Sequence, residues 1–176
     1  DLRVPAFVVE NGVRLAPLRT RAKRWRQLAL LLGQETPEKR ENFYQLSQHL
    51  ILWGWEVLAA GNWQLPGVKT LGWVYDAAPF LRKANLVVGT GRAIREGIAA
   101  GCAAYVLGSY CDGLVTPENV EGLQTTNFSG RTQRQSFCPK SAANDLARPD
   151  PERFLELGRF GRRYALQHFS SGQMAL

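Results

Sequence analysis

Histidine and cysteine are scarce in this chain. Its 176 residues include two histidines, His49 and His168, and three cysteines, Cys102, Cys111 and Cys138. Three cysteines without a CxxC pair form neither a disulfide framework nor a zinc pattern, and they suit a reducing compartment. Both histidines fall in helical patterns and read as surface or packing residues. A histidine-based triad or metal centre has little to build on, and no metal is expected. No run of apolar residues nears the roughly 20 needed to cross a bilayer, and no signal-peptide pattern is found. A cytoplasmic location is therefore expected. The chain has no internal repeat or low-complexity segment, and it opens on Asp1 in mid-sequence, as a fragment of a longer protein would.

What is present is a globular composition, 45% hydrophobic and 21% charged, long enough for one domain with a real core. Lys and Arg number 22 against 15 Asp and Glu, a net charge of +7. That balance favours anionic partners such as nucleotide phosphates, nucleic acid or an acidic membrane surface. Arg19, Arg21, Lys23, Arg24 and Arg26 cluster around Trp25. Such a basic-aromatic group can meet nucleic acid or lipid headgroups. Lacking a sustained amphipathic pattern, it reads first as a solvated linker.

Strand and helix signals alternate along the chain. Val4–Val9 is an extended opening, and Gln27–Gly33 (QLALLLG) a buried strand. Thr36 and Pro37 then form an N-cap and first-turn pair for a helix over Glu38–Trp53. Trp55–Ala60 and Val68–Val74 read as strands and Asp76–Lys83 as a short helix. Leu86–Val88 is a β-branched strand, and Cys102–Leu107 is another. Gly108–Glu118 reads as a loop, Asn119–Leu123 as one helical turn and Asn127–Arg131 as a polar loop. Residues 132–148 give no assignment, and Pro151–Phe169 is a helix. This alternation implies βαβ units. The expected fold class is α/β, a Rossmann-like doubly wound parallel sheet with helices on both faces.

The centre of the chain is Asn85–Gly101, NLVVGTGRAIREGIAAG: strand, glycine turn, helix. Such a turn lets backbone approach a ligand and aims a helix N-terminus at it, so phosphate or carboxylate is the natural guest. Arg92 in the first turn opposes the helix dipole unless an anion lies beside it. Lys39 is placed the same way in the earlier helix. If the strands Gln27–Gly33 and Leu86–Val88 flank the point where strand order reverses, their two anion-suited loops converge.

Three stretches resemble the C-terminal half of GT-B glycosyltransferases, closest to the family-four group: FVVENGV, ALLLGQETPEKRENF and LGWVYDAAPFLRKANLVVGTGRAIREGIAAGCAAYVLG. The resemblance covers most of residues 4–131. It implies an interdomain segment over 1–26 and a nucleotide-sugar-binding domain over 27–176, with an acceptor-binding N-terminal domain outside this chain. The implied activity is hexosyl transfer from a UDP- or GDP-sugar, with no tightly bound cofactor and with the fragment alone inactive. The resemblance places Lys39, Gly89, Thr90, Gly91 and Arg92 at the donor diphosphate, Glu96 at the ribose hydroxyls, and Val74 and Tyr75 at the base. It names no catalytic residue.

Two positions depart from that family. The first glutamate of its E-x7-E motif falls at Val88, and its phosphate-binding arginine at Gln34. Expected partners are the donor and the enzyme's own N-terminal domain, with a peripheral membrane contact open to the basic cluster and no nucleic acid. The rival reading is a non-catalytic nucleotide- or nucleic-acid-binding α/β module. A sugar-nucleotide epimerase lacks the acid–base groups it needs here. A nicotinamide-dependent dehydrogenase wants GxGxxG after the first strand, where GQETPEK stands.

Overall fold

A computed structural model describes residues 24–169 of the chain. The segment Val4–Val9, expected as a first strand or extended entry, and the basic residues Arg19, Arg21 and Lys23 lie outside the described residues. Twelve elements follow one another. They are β1 (Leu28–Leu32), α1 (Pro37–Leu52), β2 (Glu56–Ala60), β3 (Lys69–Gly72), α2 (Ala78–Leu81) and β4 (Leu86–Gly89), then α3 (Arg92–Ala99), β5 (Ala103–Leu107), β6 (Cys111–Leu114), α4 (Val120–Thr125), α5 (Pro139–Leu146) and α6 (Pro151–His168).

The strands form one six-stranded sheet in the order β3-β2-β1-β4-β5-β6. β1 to β5 are mutually parallel and β6 is antiparallel to β5. Helices cover both faces, which explains why the central strands are apolar at every position. In β1, Leu28 and Leu30 face the layer that contains Ile94 and Ile98 of α3 and Tyr164 of α6. Ala29 and Leu31 face the layer of Phe43, Leu46 and Leu50 of α1 with Ala142 and Leu146 of α5. β4 and β5 split the same way, Val87, Ala104 and Val106 to one side and Val88, Tyr105 and Leu107 to the other.

Two segments differ from the sequence expectation. Gly108–Glu118, expected as a loop, contains β6. Asp and Gly are poor strand residues, but Leu114 and Gly113 pair with Tyr105 and Val106 across the hairpin. The buried Asp112 carboxylate accepts the Thr132 and Gln133 amides at 3.2 and 2.9 Å. The unassigned stretch 132–148 holds α5, started by Pro139, with only Ala142 and Leu146 buried. Trp25 also departs from its expected place in an exposed basic cluster. It packs edge-on to Trp55 and Phe154, with ring centroids 5.9 and 5.5 Å away. Its neighbour Arg26 is salt-bridged to Glu56 at 2.6 Å.

α3 rides directly on β4 because Gly97 has no side chain. A Cβ there would sit inside the Val87 side chain. Gly97→Ala is therefore expected to destabilise the fold by about 2–3 kcal/mol through overpacking. Gly122 of α4 faces open space, and Gly122→Ala should be neutral or stabilising by up to about 1 kcal/mol. Urea unfolding of the two variants checks this, and equal midpoints would refute the tight seating of α3.

Candidate functional site

The order of the sheet reverses between β1 and β4, which are neighbours although two strands separate them in sequence. The chain leaves β1 for α1 on one face and β4 for α3 on the other. In open α/β sheets the crevice between two such turns is where ligands bind.

On the β1 side, residues 33–36 lead into α1. Thr36 holds the N-cap position in extended backbone but makes no side-chain cap bond. Its hydroxyl instead serves the exposed Glu38 carboxylate, whose pKa it lowers. Lys39 is half-buried in the first turn, and among the described residues no carboxylate lies within 4.0 Å of it. The next residue, Arg40, is engaged, its Nε 2.6 Å from Glu35 Oε1. Gln34, where the resembled family has a phosphate-binding arginine, is exposed.

On the β4 side, the turn is only Thr90-Gly91. Gly89 is the buried last residue of β4. A Cβ on it would lie 2.6 Å from Leu32 O and 2.9 Å from Ala93 Cβ, so close packing of strand and helix already requires this glycine. Gly91 has φ 55° and ψ −119°, a conformation for glycine. Its amide is engaged, donating to Phe128 O at 2.9 Å. Arg92 and Glu96 lie one turn apart at the start of α3, with Arg92 Nε donating to Glu96 Oε1 at 2.6 Å. The anion that relieves Arg92 of its conflict with the dipole is thus Glu96. The Arg92 side chain is 81% exposed and that of Glu96 24%. An exposed pair at this spacing is worth only about 0.3–0.5 kcal/mol, so a ligand can take over either partner at little cost.

A wall stands beyond the glycine turn. Thr90 abuts the β5–β6 hairpin, its Cγ2 2.8 Å from where a Cβ on Gly108 would be. Asn42 of α1 reaches the same hairpin, donating from Nδ2 to Gly108 O at 2.9 Å and Ser109 O at 3.1 Å. Asn127 and Phe128 then run back over the turn with φ 57° and 52°. For residues other than glycine this left-handed backbone costs on the order of 1–2 kcal/mol each. Full burial of the Phe128 ring, edge-on to Phe169 at 6.0 Å, and the Gly91–Phe128 bond hold it in place. The sequence marks Asn127–Arg131 as a polar loop but carries no signal for these dihedrals, nor for Asn42 as a tie.

Lys39, Thr90, Gly91, Arg92 and Glu96 are thus brought to one end of the sheet. Val74 and Tyr75 lie on the same edge, after β3, three strand positions and so about 14 Å from β4. Val74 packs against the core, whereas Tyr75 and Trp73 project, Tyr75 fully exposed and Trp73 70%. Val88 is fully buried within β4. His49 and His168 are packing residues, with His49 Nδ1 2.7 Å from Gln45 O and the His168 ring stacked on Tyr164 at 4.2 Å. Among the described residues no group of three or more His, Cys, Asp or Glu could hold a metal ion, and no helix is long and apolar enough to cross a membrane.

Compared with protein-family models and with curated proteins, the chain matches none.

The cysteines divide by burial. Burial raises the pKa of Cys111, whose Sγ lies 3.5 Å from the Tyr105 hydroxyl, and Cys102 is buried beneath Leu81 O and Ala84 O. Cys138 is exposed at the start of α5. A thiol reacts as exposed thiolate. Iodoacetamide at neutral pH should therefore label Cys138 first, and Cys102 and Cys111 only after denaturation. Peptide mass spectrometry reads this directly, and early labelling of Cys111 would contradict its burial.

Proposed function

We propose that this chain is the donor-binding domain of a GT-B glycosyltransferase, taking a nucleotide-diphosphate sugar in the crevice between β1 and β4. The observation that carries this reading is that Lys39, in no salt bridge among the described residues, and the loosely held Arg92–Glu96 pair follow adjacent strands at the same end of the sheet, from two crossovers distant in sequence. In this reading Lys39 and Arg92 face the diphosphate. Glu96, freed from Arg92, accepts hydrogen bonds from vicinal hydroxyls, as a carboxylate can from two donors at once. Tyr75 offers its exposed ring toward the base end of a ligand lying across the strand ends. Catalysis by such a site is chiefly positioning and stabilisation of the diphosphate leaving group. The acceptor would be held by an N-terminal domain outside this sequence, and the chain alone would bind donor without transferring sugar. The packing of Trp25 into the core weakens the rival reading of a nucleic-acid module, which needs its ring free for stacking.

Calorimetric titration of residues 1–176 with UDP, GDP and ADP tests the proposal. One nucleoside diphosphate should bind in preference to the others. Lys39→Ala and Glu96→Ala should each weaken it by about 1–3 kcal/mol, the value of a hydrogen bond to a charged group. Lys39→Ala should also flatten the salt dependence of binding. No binding of any of the three at millimolar concentration would refute the proposal.

A further inference from the structure

The turn that carries Lys39 does not stand alone. It is fastened along its length to the loop that follows β2. Gly33 N–H donates to Ala60 O at 3.1 Å, and a Cβ on Gly61 would collide with Gly33 O, so the two backbones are in direct contact. Glu35 N–H donates to Asn62 Oδ1 at 2.8 Å, and Asn62 Nδ2 is 3.5 Å from Glu35 O. Trp63 fills the space beneath, 2% exposed and stacked on Phe43 of α1 with centroids 4.2 Å apart. The Glu35 carboxylate finishes the fastening. Oε2 accepts the Gln64 amide at 3.0 Å and Oε1 accepts Arg40 Nε at 2.6 Å.

The Glu35 side chain is only 7% exposed, whereas that of Arg40 is 68% exposed. Burying a carboxylate is costly unless both oxygens are served, and here both are. Arg40 also cancels a negative charge that would otherwise sit one residue from Thr36 at the mouth of an anion crevice. Of the two cations in the first turn of α1, one is thus paired with Glu35 and the other, Lys39, is in no salt bridge among the described residues.

We propose that Glu35 is the positioning residue of the crevice. It fixes the β1–α1 turn, and with it Lys39, against the β2–β3 loop, while touching no ligand itself. This rests on the reading of the crevice as a diphosphate site. Glutamine at position 35 keeps the volume but offers one acceptor oxygen where two bonds need two. Asn62→Ala removes the other half of the fastening from the opposite loop.

The test is hydrogen exchange at residues 34–40 and 62–64 for wild type, Glu35→Gln and Asn62→Ala, beside calorimetric titration of each with UDP, GDP and ADP. Both variants should exchange faster in those two segments, with α3 and α6 unchanged and the thermal midpoint close to wild type. Their Kd for the preferred diphosphate should rise on the order of tenfold, the value of about one such hydrogen bond. Glu35→Gln should do this with Lys39 intact, and its effect should not add to that of Lys39→Ala. Unchanged exchange in both segments overturns the inference. So does faster exchange with an unchanged Kd, since the carboxylate would then tie the loops without positioning the site. A wild-type chain that binds none of the three refutes the diphosphate reading by itself. Exchange at residues 34–40 then decides whether Glu35 holds the Lys39 turn.

Discussion

Everything at this site depends on the pairing of β1 with β4. Leu30 stands opposite Val87 and Leu32 opposite Gly89, two strands brought together from either side of β2 and β3. Because one crossover leaves to each face, their turns part just above the shared edge, which is the place where open α/β sheets form a ligand crevice that neither unit could make alone. The pairing is held by the strand ladder and by burial on both faces, and the buried Asn85 ties its lower end, its N–H donating to Leu28 O at 3.0 Å and its Oδ1 accepting Arg26 N–H at 2.7 Å. Leu28, Leu30, Leu31, Leu86, Val87 and Val88 are all essentially solvent-free. A substitution that weakened this seam would unfold the domain before it altered the crevice.

Above the seam, strong and weak interactions are distributed unevenly. The Gly91–Phe128 bond, the Asn42 contacts to the β5–β6 hairpin and the Glu35 bonds to Asn62 and Gln64 join segments far apart in sequence. Each is worth about 0.5–1.5 kcal/mol, more where charged. The Arg92–Glu96 pair is local and exposed, worth a few tenths. Rigid walls around a lightly held charge pair suit a binding site, because ordering costs are met by folding and little is lost when a ligand displaces the internal contact.

Strands buried on both faces announce themselves as unbroken apolar runs, and so β1, β4 and β5 are legible in the sequence. Thr36-Pro37 likewise marks the start of α1. β6 is not legible, since Cys111-Asp112-Gly113-Leu114 has the composition of a turn and becomes a strand only through its pairing with β5 and the amides that Asp112 accepts. α5 is hidden because only two of its residues are buried, too few to set a period. Near the strand ends, Lys39 and Arg92 are marked in the sequence by their places in first helical turns, and Glu96 only by the family resemblance. That Arg92 and Glu96 bind each other follows from their spacing of four. Glu35 is illegible because its partners are an arginine five residues on and a backbone amide from another loop. A buried phenylalanine with left-handed backbone has no sequence signature at all.

The departure at Val88 has a geometric meaning that motif spacing alone obscures. Counting back from Glu96 puts the first acidic position of the resembled E-x7-E motif at Val88 inside β4, where the side chain is fully buried against the α1 layer. Only Thr90-Gly91 stand between strand and helix, and Gly91 holds a backbone conformation for glycine. The spacing of the resembled motif thus puts its first acidic position within the strand and not in the turn. Glutamate at position 88 would bury an unpaired charge at a cost of several kcal/mol. If the crevice takes a donor sugar, its recognition at this end falls to Glu96 and to the wall formed by Asn127 and the β5–β6 hairpin, the polar groups the short turn leaves within reach.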